Sequence, residues 1–273
     1  MTSRTAAQSH ASTAIGDTVH HFASMSGKKS ASLSSDPLGF MLSAAKAGAY
    51  VGVGIILIFT LGQAAEPAWR SLVMGASFGI ALTLVIFAGS ELFTGHAMYG
   101  AHGVLTRTIG VAAVLRLWAA SWIGNLIGAM LLATLFLVGI GSLLAESEQL
   151  QLVQTVVAKK MHTPALSLIA KGMLCNWLVC LSIWTSARTS NDVAKCILIF
   201  WCLFAFIASG FEHSVANMTV FSLALFSAPG DGVTWAGAAH NLLWVTFGNI
   251  LSGTLVMGWG YWRIAGRPRG ATP

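Results

Sequence analysis

Six long apolar stretches separated by short polar segments dominate the chain: 38–62, 71–99, 109–141, 164–187, 195–227 and 234–262. Each could cross a hydrocarbon layer roughly 30 Å thick, which takes about 20 helical residues. The apolar residues run continuously instead of alternating over ten-residue segments, so the pattern predicts spanning helices and not barrel strands. Asp36-Pro37 reads as an N-cap followed by proline at the first helical position of the first span. Residues 1–35 are rich in Ser, Ala and His and lack the apolar core of a secretory signal. They read as a polar arm, within which 15–28 suits a short helix on the membrane surface. The expected organisation is an arm (1–35), a first three-span unit (36–141), an external loop (142–163), a second three-span unit (164–262) and a tail (263–273).

Composition agrees with lipid as the solvent. Charged residues make up 9% of the 273 and hydrophobic ones 55%, and mean hydropathy is +0.73. A soluble domain carries roughly 25% charged residues. The net charge of +6 raises the question of nucleic acid, but its distribution fits basic cytoplasmic loops, so no nucleic-acid partner is expected. With the N-terminus inside, ten Lys and Arg fall in cytoplasmic segments and three (Arg70, Lys159 and Lys160) in external ones. Both termini are therefore expected in the cytoplasm and the chain in a bacterial inner membrane. The four cysteines lie in or beside apolar runs with no metal-binding spacing and read as packing residues. No phosphate-binding loop, dinucleotide fingerprint, H-E-x-x-H or G-x-S-x-G occurs, so neither an enzyme nor a cofactor or metal site is expected.

The two halves resemble each other. Gly89 and Glu91 of span 2 match Gly210 and Glu212 of span 5 at an offset of 121; Gly124-Asn125 of span 3 match Gly248-Asn249 of span 6 at 124; Lys46 and Lys171 differ by 125. Three spans per half is an odd number, so the halves insert with opposite topology. Inverted repeats whose matching helices carry polar interruptions mark a transport pathway near the midplane. Glycines spaced by four, such as Gly48/Gly52 and Gly124/Gly128, suit close helix packing in lipid.

Ionisable groups inside spans are expensive, on the order of a few kcal/mol each. Glu91, Glu212 and His213 are thus the informative residues. The glutamates, beside predicted helix breaks, are expected to accept freed backbone N–H groups and to turn away from the path of an anion; a proton relay is the other reading. His213 is expected to face the pathway, since imidazole titrates near neutrality and can donate to or protonate an oxyanion. Thr94 in the matching break supplies a hydroxyl. His96, His162 and His240 read as interfacial or packing residues. An aquaporin-like neutral-solute channel shares this architecture but lacks its Asn-Pro-Ala signature here; a membrane haem protein would need paired axial histidines.

Several strings together resemble the formate/nitrite transporter family, most of all its bacterial nitrite channels: Gly48 to Phe59 (GAYVGVGIILIF), Gly89 to His96 (GSELFTGH), Lys159 to His162 (KKMH), Lys171 to Cys180 (KGMLCNWLVC), Ile207 to Met218 (IASGFEHSVANM) and His240 to Asn249 (HNLLWVTFGN). The resemblance covers about 36–262. It implies an all-α, aquaporin-like six-helix protomer with broken helices 2 and 5, a homopentamer in the bilayer, and passage of a small monovalent anion, nitrite or formate. It also implies the central histidine at His213, the loop threonine at Thr94, an asparagine partnering the histidine at Asn176 and a basic residue toward the outer mouth at Lys160. The implied constriction is Phe78, Leu82, Leu92, Phe93, Val179 and Phe206, with Phe78 and Val179 toward the outside and Leu92 and Phe206 toward the cytoplasm. A naked anion in an apolar constriction carries a Born penalty far above one hydrogen bond, so the implied mechanism protonates it to its neutral acid, with channel-like passage of the hydrated anion as the other reading.

Overall fold

The computed structural model describes residues 2–140, 147–227 and 229–266, and among these every regular element is helical. In chain order they are α1 (Thr2–Ser35), α2 (Pro37–Ala64), α3 (Arg70–Ser77), α4 (Gly79–Phe87), α5 (Phe93–Leu105), α6 (Val111–Ile140), α7 (Glu148–Met161), α8 (Ala165–Ser186), α9 (Asp192–Ala208), α10 (Ser214–Phe226), α11 (Trp235–Leu251) and α12 (Gly260–Ala265), with a π-helical stretch, Ser252–Trp259, joining the last two. Among the described residues five helical stretches are long and apolar enough to cross a membrane: Pro37–Ala64, Arg70–Phe87, Val111–Ile140, Ala165–Ser186 and Trp235–Ala265. The stretch expected as span 5 is two shorter helices, α9 and α10, meeting at a break, and the expected span 2 likewise breaks between α4 and α5. Asp36 caps α2 as anticipated, its carboxylate accepting the Gly39 N–H at 2.9 Å with Pro37 next in line.

Both breaks are built the same way. Gly89 and Gly210 have φ of +70° and +68°, a left-handed conformation that costs an L-residue roughly 1–2 kcal/mol. Each sits one residue beyond a helix cap. The next N–H turns back to the preceding helix: Ser90 to the Val85 carbonyl at 3.1 Å and Phe211 to the Phe206 carbonyl at 3.0 Å. This is the glycine-terminated helix end that satisfies orphan carbonyls. The chain then runs extended for a few residues and restarts as α5 or α10. These second halves are 13 residues each and buried nearly all round, as helices at the centre of a bundle are.

The outer spans pack around them through glycine contacts. A methyl group on Gly48 would run into the Asn125 carbonyl and one on Gly128 into that of Ala45, joining α2 to α6; Gly172 and Gly248 do the same between α8 and α11, against the Val245 and Ile169 carbonyls. Two helices lie outside the repeats. The segment read as an external loop holds α7, whose Leu150, Val153, Val157 and Met161 form a buried stripe; its remaining positions 142–146 fall outside the described residues. Gln149 of α7 donates to the Thr60 hydroxyl and Gln154 to the Ala224 carbonyl, pinning α7 across the ends of α2 and α10. The arm read as a surface helix is docked instead. Val19, Phe22, Ala23 and Ser26 are buried; the Phe22 ring stacks on Tyr99 at 5.1 Å and lies 5.7 Å from Trp184, and Arg188 donates to the Ala14 carbonyl and the Thr18 hydroxyl. Burying that aromatic face against protein outweighs leaving it on lipid headgroups.

α1 and α7 mark opposite ends of the bundle. Glu91 meets α2 near its start, at the Ser43 carbonyl, whereas α7 meets it near its end, at Thr60. A helix of that length spans about 42 Å.

Candidate functional site

Each break is held by one asparagine from a neighbouring span. Asn125 Oδ1 accepts the Phe93 N–H at 2.9 Å, and its amide donates to the carbonyls of Ala44 (2.8 Å) and Glu91 (2.9 Å). Asn249 Oδ1 accepts the Ser214 N–H at 3.0 Å and its amide donates to Gly172 (2.8 Å) and Glu212 (3.1 Å). These freed N–H groups were expected to bind the glutamates. They bind asparagine because a single amide offers the acceptor and the two donors that a broken helix requires, and a carboxylate offers no donor. The repeated Gly-Asn string was visible in the sequence; its task was not. The repeat register also changes: Glu91 N–H reaches the Ser43 carbonyl and Glu212 N–H the Lys171 carbonyl, so Lys171 corresponds to Ser43 and not to Lys46.

The glutamates serve ion pairs. Glu91 Oε2 lies 2.6 Å from Lys29 Nζ and 2.7 Å from His96 Nε2. Glu212 Oε2 lies 2.8 Å from Lys160 Nζ and 2.7 Å from Asn217 Nδ2. Lys29 comes from α1 and Lys160 from α7, the helices that precede each repeat. Lys160 is therefore the counter-ion of a break, and His96, read as interfacial or packing, is buried and pairs with Glu91. His162 and His240 bond backbone carbonyls of Ala158 and Thr163.

Two recesses flank the breaks. One, of about 320 Å³, is walled by Lys29, Leu82, Leu92, Gly95, His96 and Ile183 among others. The second, of about 460 Å³, is walled by Lys159, Lys160, Lys171, Phe206, Glu212 and His213 with the end of α2. Glu212 thus borders a recess where it was expected to turn away; the Lys160 ammonium neutralises it. Leu92 and Phe206 lie in different recesses, not on one side as expected. Phe206 packs edge-on against Phe78, with ring centroids 5.5 Å apart, and stacks over His213 at 6.0 Å, so those two aromatic rings share the α7 side. Phe93 and Val179 are buried and border neither recess.

Thr94 is fully buried and lies between the recesses: its neighbours Leu92 and Gly95 wall one, and its partner His213 walls the other. Thr94 Oγ1 is 3.2 Å from His213 Nε2. His213 also caps α10, its Nδ1 accepting the Ala216 N–H at 3.1 Å. Nδ1 therefore carries a lone pair and Nε2 the hydrogen. The partner of the histidine is Thr94, not Asn176 as the resemblance implied. Asn176 acts one step away: its amide donates to the Thr94 carbonyl at 3.2 Å and the Asn249 carbonyl at 2.7 Å, with Cys180 Sγ at 3.6 Å from its oxygen. The chain Asn249–Asn176–Thr94–His213 ties the two breaks together.

The chain is similar to known proteins in sequence and in fold. The sequence profile described as formate/nitrite transporter matches residues 17–263. The nitrite transporter NirC of Salmonella typhimurium is 53% identical over 246 residues, 90% of each chain. A solved structure described as an FNT family ion channel superposes with a TM-score of 0.88 at 52% identity, covering 94% of this chain and all of that one. A pentameric formate channel with formate bound superposes with a TM-score of 0.73 at 25% identity, covering 83% and 96%.

Proposed function

This chain belongs to the formate/nitrite transporter family, and from that premise we propose that it passes nitrite, and formate with it, across a bacterial inner membrane between the two recesses described above. The observation that carries the route is the Thr94–His213 pair, a buried polar contact set between one lysine-bearing recess and the other. An anion attracted by Lys159 and Lys160 meets Phe78 and Phe206 next. Charge does not pass such rings cheaply: moving a small anion into a low-dielectric interior costs several kcal/mol even after relaxation. His213 Nε2–H and the Thr94 hydroxyl offer hydrogen bonds at that point, and a proton delivered there converts the anion into its neutral acid. Asn176, Glu91 and Glu212 support the geometry, and Leu82, Leu92, Phe93 and Val179 exclude water around it.

Purified protein in proteoliposomes is expected to take up nitrite faster than formate, and both faster when external pH falls from 7.5 to 5.5, because more of each anion meets an available proton. Rates equal to those of protein-free vesicles at both pH values would end the reading.

We further read the assembly as a homopentamer, in keeping with the pentameric structure it superposes on, and both termini as cytoplasmic, in keeping with the excess of Lys and Arg on that side. Native mass spectrometry should give five copies in mild detergent, and a thiol placed at either terminus should resist an impermeant label added to intact cells. A monomer, or external labelling, contradicts these two points.

A further inference from the structure

The two glutamate clusters are related by the repeat, but they differ in their third member. Glu91 and Glu212 are offset by 121, and so are His96 and Asn217, each with a side-chain nitrogen 2.7 Å from its glutamate. Asn217 also donates to Asn241 Oδ1 at 2.8 Å. His96 has nothing comparable: its ring is 1% exposed, and Nδ1 is buried with no hydrogen-bond partner among the described residues. Because Nε2 faces a carboxylate it carries the hydrogen, so Nδ1 carries a free lone pair. A buried acceptor left unmade costs about 1–3 kcal/mol, and such groups call for an explanation. His96 also walls the α1-side recess, beside Lys29, Leu92 and Gly95.

We propose that His96 is the proton-exchanging residue of the α1-side recess, taking at Nδ1 the proton that arrives with the neutral weak acid and giving it back when the acid forms for the opposite journey. This rests on the reading of charge-neutral passage given above. In the forward step the O–H bond of the acid breaks and its electron pair stays on the anion; an N–H bond forms at Nδ1, and the imidazolium then releases the proton to water. Nothing is oxidised or reduced. Burial of the ring opposes the imidazolium, the carboxylate of Glu91 favours it, and Lys29, on the same oxygen, opposes it. The cluster therefore changes from net zero to net +1 on protonation, which holds the freshly formed anion in the recess until the proton leaves. The other groups facing the ring are Tyr99, 5.9 Å away on its own helix, Phe40 of α2 at 6.1 Å, and Trp118 of α6, which donates to the His96 carbonyl. His21 of α1 and Lys195 of α9 border the same recess. On the α7 side the matching position is an amide that cannot titrate, and the imidazole stands at His213, whose own counterpart is Leu92. Each break thus has one imidazole, placed one helical turn apart in the repeat.

The test uses the full-length protein inserted in one orientation, with pH varied separately on the two faces and a pH-indicating dye in the lumen. Wild type should show nitrite flux that depends on pH at the α1 face as well as at the α7 face. His96→Asn, which copies the mate, and His96→Gln should assemble, lose the α1-face dependence, keep the α7-face dependence, and slow by roughly 10²-fold, the usual contribution of a positioned acid–base group. Wild-type dependence on α1-face pH in both variants, its absence from wild type, or failure of both variants to assemble overturns the proposal. If nitrite uptake by wild type does not acidify the lumen at all, charge-neutral passage itself has failed; if it does, and the variants match wild type, only the role of His96 falls.

Discussion

Asn249→Ala is expected to prevent recovery of an assembled protein. The substitution strips the Ser214 N–H and the Gly172 and Glu212 carbonyls of their side-chain partner, all in a buried setting. The Gly172 carbonyl keeps its intrahelical bond within α8, so the loss is about 1–3 kcal/mol for each of the Ser214 N–H and the Glu212 carbonyl, a large share of the whole stability of a typical domain, about 5–15 kcal/mol. Asn125→Ala should act in the same way on the first break. Asn249→Asp separates the contributions: it keeps the acceptor for Ser214 but sets a carboxylate against two carbonyls, so it should be little better than alanine. The measurements are oligomer yield in mild detergent and the melting temperature of what is recovered. A normal yield with an unshifted melting temperature for Asn249→Ala would remove the clamp from the account of this fold.

His213→Asn is expected to do the reverse, leaving the fold and removing the flux. Asparagine is among the best helix caps, so it can replace Nδ1 as the acceptor of the Ala216 N–H. It can also donate to Thr94, but it cannot exchange a proton. Weak-acid uptake should fall by roughly 10²-fold or more and lose its dependence on α7-side pH. His213→Ala loses the cap as well, at about 1 kcal/mol, and should be both inactive and less stable. The geometry adds a condition on the mechanism. Imidazole can give up a proton readily only as imidazolium, and that form needs a hydrogen on Nδ1, the atom now accepting from Ala216. Each protonation of the ring therefore competes with the cap of α10. If a hydrated anion passes without a proton, His213→Asn will instead retain current with altered selectivity. Uptake and current measured on one preparation from pH 5 to 7.5 distinguish these results, and wild-type behaviour in rate, selectivity and pH profile would return His213 to a capping role alone.

What the sequence made legible follows from how strongly lipid constrains it. Gly89, Glu91, Gly210 and Glu212 stood out because a charged side chain and a helix-breaking turn are rare at membrane depth, so finding both twice at one offset located the breaks. Asp36-Pro37 placed the start of α2 because capping chemistry is local. Partners far apart in sequence were not readable. Nothing local says that Asn125 serves Phe93, 32 residues earlier, or that Lys29 in a polar arm reaches Glu91. Matching Lys46 to Lys171 failed because a lysine near a helix end has a long, free stem and little positional constraint; what the fold repeats there are the carbonyls of Ser43 and Lys171. α7 escaped notice because polar residues are interleaved with its apolar ones throughout, although Leu150, Val153, Val157 and Met161 keep a helical spacing. Placing Phe206 with Leu92 toward the cytoplasm missed its ring contacts with Phe78 and His213, which no local pattern shows.

The origin of the two clamps has a consequence for biosynthesis. The clamp of the first break, Asn125, lies on the very next span, so the first repeat can close on itself once about half of the chain has left the ribosome. The second break has its clamp, Asn249, in the last span, and Asn176, which waits in α8, has its partner there too. At roughly 5–20 residues per second, the nascent second repeat spends some seconds before Asn249 can reach the Ser214 N–H and the Glu212 carbonyl. A chain that stops before α11 therefore carries the Asn125 clamp of its first break and lacks the Asn249 clamp of its second.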